Sequence, residues 1–210
     1  MQEILDLDKQ KALLLVIDIQ ERLSASMAQD ELDSALKKTK ILIKGCDILG
    51  VPIWQSLQYV KGLGNSVAGL FANDSRIDSS VDSSADSNID SSDSREIKHT
   101  NFEKRAFSVV YEGSPLLAYL TQNPHITQII IAGMEAHICV LQSARDLLNM
   151  GFEVAVASDC VISREAQNKS NALIFIAQCG GGILNTESIL FDLLKSSESP
   201  HFKAISALVK

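Results

Sequence analysis

The sequence predicts an α/β fold built on a parallel sheet covered on both faces. Strand-like apolar runs alternate along the chain with segments of helical spacing, the pattern of strand–helix–strand units. Runs such as Leu13-Leu14-Leu15-Val16-Ile17 are almost continuously aliphatic, as strands buried from both sides are. In Ile129-Ile130-Ile131-Ala132-Gly133-Met134-Glu135-Ala136-His137-Ile138-Cys139-Val140, Gly133 breaks an apolar run and a helical pattern opens near His137.

In chain order, residues 12 to 17 read as a strand ending at Asp18. Residues 30 to 49 place Leu32, Leu36, Ile43, Cys46 and Ile48 mostly on one helical face, and Gly50 stops that helix. Residues 51 to 54 read as a short strand, followed by a loop with Gly62, Gly64 and Gly69. Residues 116 to 122 read as a short helix after Ser114-Pro115, 126 to 132 as a strand, and 137 to 150 as a helix closed by Gly151. Then come a strand at 152 to 157 and a helix at 163 to 178, ended by Gly180-Gly181-Gly182. Ile183-Leu184 reads as a short strand, and Thr186 as the cap of a helix reaching about Leu194. Phe202, Ile205, Leu208 and Val209 make the C-terminal segment amphipathic, suited to pack on the body or on another subunit.

A chain of 210 residues supports one sizeable core, so residues 1 to 210 are read as a single domain. Hydrophobic residues make up 46% and aromatics only 5%, so aliphatic packing dominates. The net charge of −7 argues against a nucleic-acid or anionic-membrane surface, which wants a basic patch. No apolar stretch reaches the ~20 residues of a membrane span, and the N-terminal residues lack a signal-peptide core. Cys46, Cys139, Cys160 and Cys179 form no CxxC pair and no Cys/His metal spacing. The expectation is free thiols in a reducing cytoplasm.

One segment breaks the alternation. Ile77-Asp78-Ser79-Ser80, Val81-Asp82-Ser83-Ser84, Ala85-Asp86-Ser87-Asn88 and Ile89-Asp90-Ser91-Ser92 form a four-residue repeat within an insert at about 73 to 98. As a helix it would stack aspartates at i,i+4, where like charges repel. Such a tract buries too little to offset ordering entropy, and is expected to be a solvated loop inserted between core elements. It carries seven acidic and three basic residues, so the remaining body is only mildly acidic.

Three residues stand out for chemistry. Asp18 ends the first strand, where a carboxylate serves either a site or a helix cap. Lys104, in Phe102-Glu103-Lys104-Arg105-Ala106-Phe107-Ser108, taken alone reads as a surface lysine. Cys139 falls in the first turn of a helix at a strand end, where partial positive charge favours thiolate and where open parallel sheets build their sites. Alone it also reads as a small core hydrophobe.

Together, Leu15-Val16-Ile17-Asp18-Ile19-Gln20, the segment around Lys104, and Gly133 to Val140 resemble the isochorismatase-like superfamily of cysteine hydrolases. Within it the chain looks most like the isochorismatase domain-containing proteins of unassigned substrate, through Gln58-Tyr59-Val60-Lys61-Gly62-Leu63-Gly64 and Thr186-Glu187-Ser188-Ile189-Leu190-Phe191. The resemblance spans nearly everything except residues 72 to 98. It implies a three-layer α/β/α fold with a mostly parallel, about six-stranded sheet, and an Asp18, Lys104, Cys139 triad. It also implies a cis peptide between Met134 and Glu135 that aims the amides of Glu135 and Cys139 at an oxyanion. The implied activity is hydrolysis of a small amide or related C–N bond in a small-molecule substrate, with no cofactor, by a homo-oligomer.

Two departures narrow the expectation. Nicotinamidases bind a metal through an Asp-x-His after the second strand, whereas this chain reads Gln55-Ser56-Leu57-Gln58-Tyr59, so no metal is expected. Isochorismatases proper cleave a vinyl ether without the cysteine, so Cys139 argues against that reaction. Gln20, Tyr59, Phe102 and His137 are candidates to line the pocket, and Glu135 either binds substrate or anchors the turn. Trp54 is a further pocket candidate, with packing as the alternative. Competing readings are a catalytically silent binding protein on the same fold, and thiol redox chemistry should Cys160 approach Cys139 within disulfide reach.

Overall fold

The protein is described from a computed structural model over residues 5–72 and 97–210. Most of the serine–aspartate insert lies outside the described residues. Six strands, β1 (Ala12–Ile17), β2 (Ile53–Gln58), β3 (Thr100–Lys104), β4 (Gln128–Met134), β5 (Glu153–Ile162) and β6 (Gly182–Leu184), form one sheet in the order β3-β2-β1-β4-β5-β6. Every pairing among them is parallel. The chain winds outward from β1 in both directions, so the topological switch point lies at the C-terminal ends of β1 and β4, the place where such sheets bind ligands.

Alternation along β1 makes the three layers. Leu13, Leu15 and Ile17 join a core beneath α4 (Pro115–Gln122), α5 (Leu141–Asn149) and α6 (Ala166–Gln178). Leu14 and Val16 face a second core beneath α2 (Gln29–Leu49), α7 (Thr186–Leu194) and α8 (Phe202–Val209). Two short helices, α1 (Glu21–Ser24) and α3 (Val60–Leu63), follow β1 and β2 closely in the chain. Helix α8 buries Ile205 and Leu208 in the second core and sets Phe202 edge-on to Phe191 of α7, so the C-terminal segment packs on the body.

The structure corrects several boundaries. Strand β2 runs to Gln58, past the expected end at residue 54, because Gln55 and Ser56 are buried and bonded although polar. Strand β3 was not expected. It is a short, polar edge strand paired only with β2, and its alternation is too brief to read. The helix expected from 137 to 150 divides into a π-helical turn, Ala136–Val140, and α5. Asn185, whose side chain accepts from Ser188 N, caps α7; Thr186 is its first residue. Gly50 ends α2 in the left-handed conformation at φ 75°.

Candidate active site

Asp18 follows β1 directly, in a left-handed conformation at φ 52° and fully buried. Its backbone N–H donates to Ser56 O at 3.0 Å, and its Oδ1 accepts from Ser56 Oγ at 2.7 Å. Lys104 closes β3 two strands away, yet its side chain reaches the same point, with Nζ 2.7 Å from Asp18 Oδ2 and both side chains wholly buried. The ammonium also donates to Gln58 Oε1 at 2.8 Å, Phe107 O at 3.0 Å and Ala106 O at 3.3 Å. A buried lysine otherwise carries a large desolvation penalty, and this ring of acceptors offsets it.

Cys139 reaches the pair from β4 through the π-helical turn. Gly133 makes the approach sterically feasible. Its φ is 127°, and a Cβ there would lie 2.0 Å from Ile17 O, so only glycine lets β4 pass this close to the strand carrying Asp18. The Met134–Glu135 peptide is cis. Cys139 is 5% exposed and its thiol interacts with both the Asp18 carboxylate and the Lys104 ammonium. Burial first, then the Asp18 charge, push the thiol up to about 12, while Lys104 works in the opposite direction. This reverses the expectation that the helix start favours thiolate: desolvation and an adjacent carboxylate outweigh the peptide dipoles. At rest the group is a neutral thiol beside a base.

The turn is anchored from outside. Glu135, nearly buried, accepts from Arg164 N at 3.1 Å and Arg164 Nε at 2.9 Å, which makes it an anchor for the loop after β5. His137 Nδ1 lies 2.9 Å from the buried Ser163 Oγ.

The other pocket candidates separate. Gln20 is fully buried, its Oε1 accepting from Gln58 N and its Nε2 donating to Gln58 O and Gly64 O. It therefore clasps the end of β2, with both ends of its amide engaged by backbone groups, where a pocket-lining place was expected. Phe102 is buried edge-on to Trp54, which also packs on Tyr119, so both are core aromatics. Tyr59 is on the rim, 37% exposed, with the Arg105 guanidinium 4.0 Å above its ring. A cleft of about 310 Å³ on the surface by the end of β3 is lined by Glu103, Lys104, Arg105, Ala106 and Tyr111. Among the described residues no group of three or more His, Cys, Asp and Glu stands in metal-binding arrangement. Cys160 belongs to the core on the opposite side of the sheet from Cys139, bonded to Thr186 Oγ1 at 3.0 Å, so the redox reading loses its resolving thiol.

Ser56 and Gln58 are the contacts that sequence reasoning missed. Both lie in Gln55-Ser56-Leu57-Gln58, read for its lack of histidine and, at Gln58, for a family resemblance, but not for contacts to the triad. The available signal was the run of polar residues continuing a strand beside the one that ends in Asp18.

Comparison with known proteins agrees with this fold. The isochorismatase domain matches residues 12–188. The chain is 32% identical to the secreted isochorismatase effector of Phytophthora sojae over 95% of its own length and 84% of that protein. It is 32% identical to isochorismatase domain-containing protein 1 of Salmo salar over 80% of its length, but spans only 51% of that protein. Among solved structures it is similar to the MAR1 ribonuclease of Caenorhabditis elegans, at 26% identity and a TM-score of 0.78, covering 97% of this chain and 91% of that one. With the family domain matched along most of its length and its three-layer parallel fold in place, the chain belongs to the isochorismatase family.

Proposed function

We propose that this family member is a cysteine hydrolase acting, without a cofactor, on a small amide or related C–N bond. The convergence of Cys139, Asp18 and Lys104 from three strand ends into one buried cluster carries the reading. Asp18 takes the thiol proton as Sγ attacks the carbonyl carbon. The amides of Glu135 and Cys139 hold the developing oxyanion. The tetrahedral intermediate collapses to a thioester at Cys139, and the protonated Asp18 returns its proton to the departing amine. Water, deprotonated by Asp18, then releases the acid and restores the thiol. Lys104 holds the Asp18 side chain in place throughout and favours its charged form between proton transfers.

The ribonuclease name of the Caenorhabditis elegans protein is not carried over, because a net charge of −7 opposes polyanion binding. Four free thiols support a reducing, cytoplasmic setting, although one relative is a secreted effector. Among the described residues no helix is long and apolar enough to cross a membrane. Exposed Met150, Ile174 and Phe175 support self-association. Ammonia or amine release from a panel of small primary amides and N-carbamoyl compounds tests the activity. Turnover of at least one compound that disappears in Cys139→Ala is expected, and turnover surviving that substitution would refute the assignment.

A further inference from the structure

Lys104 has three N–H protons, and its three shortest oxygen contacts are Asp18 Oδ2 at 2.7 Å, Gln58 Oε1 at 2.8 Å and Phe107 O at 3.0 Å. Every proton of the ammonium is thus directed at the protein. The carboxylate of Asp18 is held equally: Oδ2 by Lys104 and Oδ1 by Ser56 Oγ. Ser56 holds the same residue a second time through its backbone carbonyl. Gln58 is fixed at both ends. Its Nε2 donates to Arg105 O at 2.9 Å, which leaves Oε1 facing Lys104, as an ammonium requires. Its backbone is clasped by Gln20 on both the N–H and the carbonyl.

We infer that Ser56 and Gln58 are positioning residues that lock the Asp18–Lys104 pair, so that Asp18 keeps one orientation toward the Cys139 thiol and Lys104 spends no proton on substrate. The inference rests on the cysteine-hydrolase reading above. Its physical basis is that Asp18 and Lys104 each have rotatable side chains, and a two-member ion pair alone leaves the carboxylate free to turn. Ser56 fixes the oxygen that Lys104 does not hold, and Gln58 gives the ammonium a second side-chain acceptor beside Asp18. One strand, β2, supplies both, at alternate positions that share a face. The lysine therefore acts by charge and placement, and substrate polar groups must be met by other donors.

The test is site-resolved alkylation of Cys139 by iodoacetamide at about pH 7.5, read by peptide mass spectrometry, alongside thermal unfolding of each variant. Ser56→Ala and Gln58→Leu are each expected to slow Cys139 alkylation about tenfold, the order of one hydrogen bond to a charged group. Ser56→Thr, which keeps the hydroxyl, is expected to recover most of the rate, and Gln58→Glu, which keeps the acceptor but loses the donor to Arg105 O, part of it. Wild-type rates in folded Ser56→Ala and Gln58→Leu would overturn the inference. So would slow rates that the conservative pair does not recover, since lost packing alone would then account for them. Should Ser56→Ala fail to fold, the Gln58 pair decides. Amide turnover of Cys139→Ala in parallel separates the two levels: if turnover survives that substitution, the hydrolase reading fails with the inference; if it is lost while Ser56→Ala and Gln58→Leu alkylate at the wild-type rate, only the inference fails.

Discussion

Lys104 shows how misleading a residue's sequence surroundings can be. Flanked by Glu103 and Arg105 it has the look of a surface lysine, yet it is among the largest fully buried side chains in the protein. Alternation on an edge strand turns its charged neighbours outward while Lys104 points in toward Asp18. A buried ion pair is costly to break because the surviving charge is left without its partner. Lys104→Met is accordingly expected to lose about 3–5 kcal/mol of stability, measured by urea unfolding. A loss below about 1 kcal/mol, the range of exposed pairs, would contradict the described burial. Of the site, Asp18, Lys104 and Cys139 were legible through a family resemblance, and Cys139 also through its place after a glycine-broken strand. Ser56 and Gln58 were not, because nothing in their own sequence distinguishes a serine or glutamine that holds a charge from one that faces water. The protonation of Cys139 was read in the wrong direction for a related reason: burial depth is a tertiary quantity, and here it outweighs the helix start.

At the scale of elements, the aliphatic runs were the most legible. Strand β1 begins and ends where its aliphatic run, closed by Asp18, put it, and α2 and α7 match within a residue or two. What sequence reading lost were elements whose stability comes from neighbours. Edge strand β3 leans entirely on β2, and the polar half of β2 is extended because its side chains bond to Asp18, Lys104 and Ser66. The contact between β1 and β4 is the most demanding in the sheet, since the backbone of Gly133 lies against that of Ile17. Gly133→Ala must therefore push the two strands apart and hold alanine at a φ that L side chains rarely adopt. A loss of about 3 kcal/mol is expected, with a disproportionate fall in Cys139 reactivity because the same shift moves the thiol from Asp18. Calorimetry together with alkylation checks both parts, and an alanine variant of native stability would refute the close approach.

For the whole molecule, three thiols buried in two separate cores link the fold to pH. Cys139 and Cys160 are each pushed from an ordinary 9.0 up to about 12, and Cys46 is pushed up as well, in every case chiefly by burial. A thiol that holds its proton more tightly when folded contributes stability that is intact below the unfolded value near 9.0 and is lost as pH rises toward about 12. Urea midpoints are therefore expected to fall above pH 9, and Cys46→Ala together with Cys160→Ala to flatten that fall; a wild-type curve level through this range would argue against protonated buried thiols. The same protonation shapes the central claim, since a neutral thiol needs Asp18 to take its proton during attack. Acyl transfer from an activated acetyl ester, quenched in acid and mapped by peptide mass spectrometry, tests this most directly. The account predicts acetyl on Cys139 in the wild-type protein and a large loss of it in Asp18→Asn, although removing that carboxylate also removes a charge that holds the thiol protonated. Acetylation elsewhere but not at Cys139, or equal labelling of Cys139 in wild type and Asp18→Asn, would contradict it.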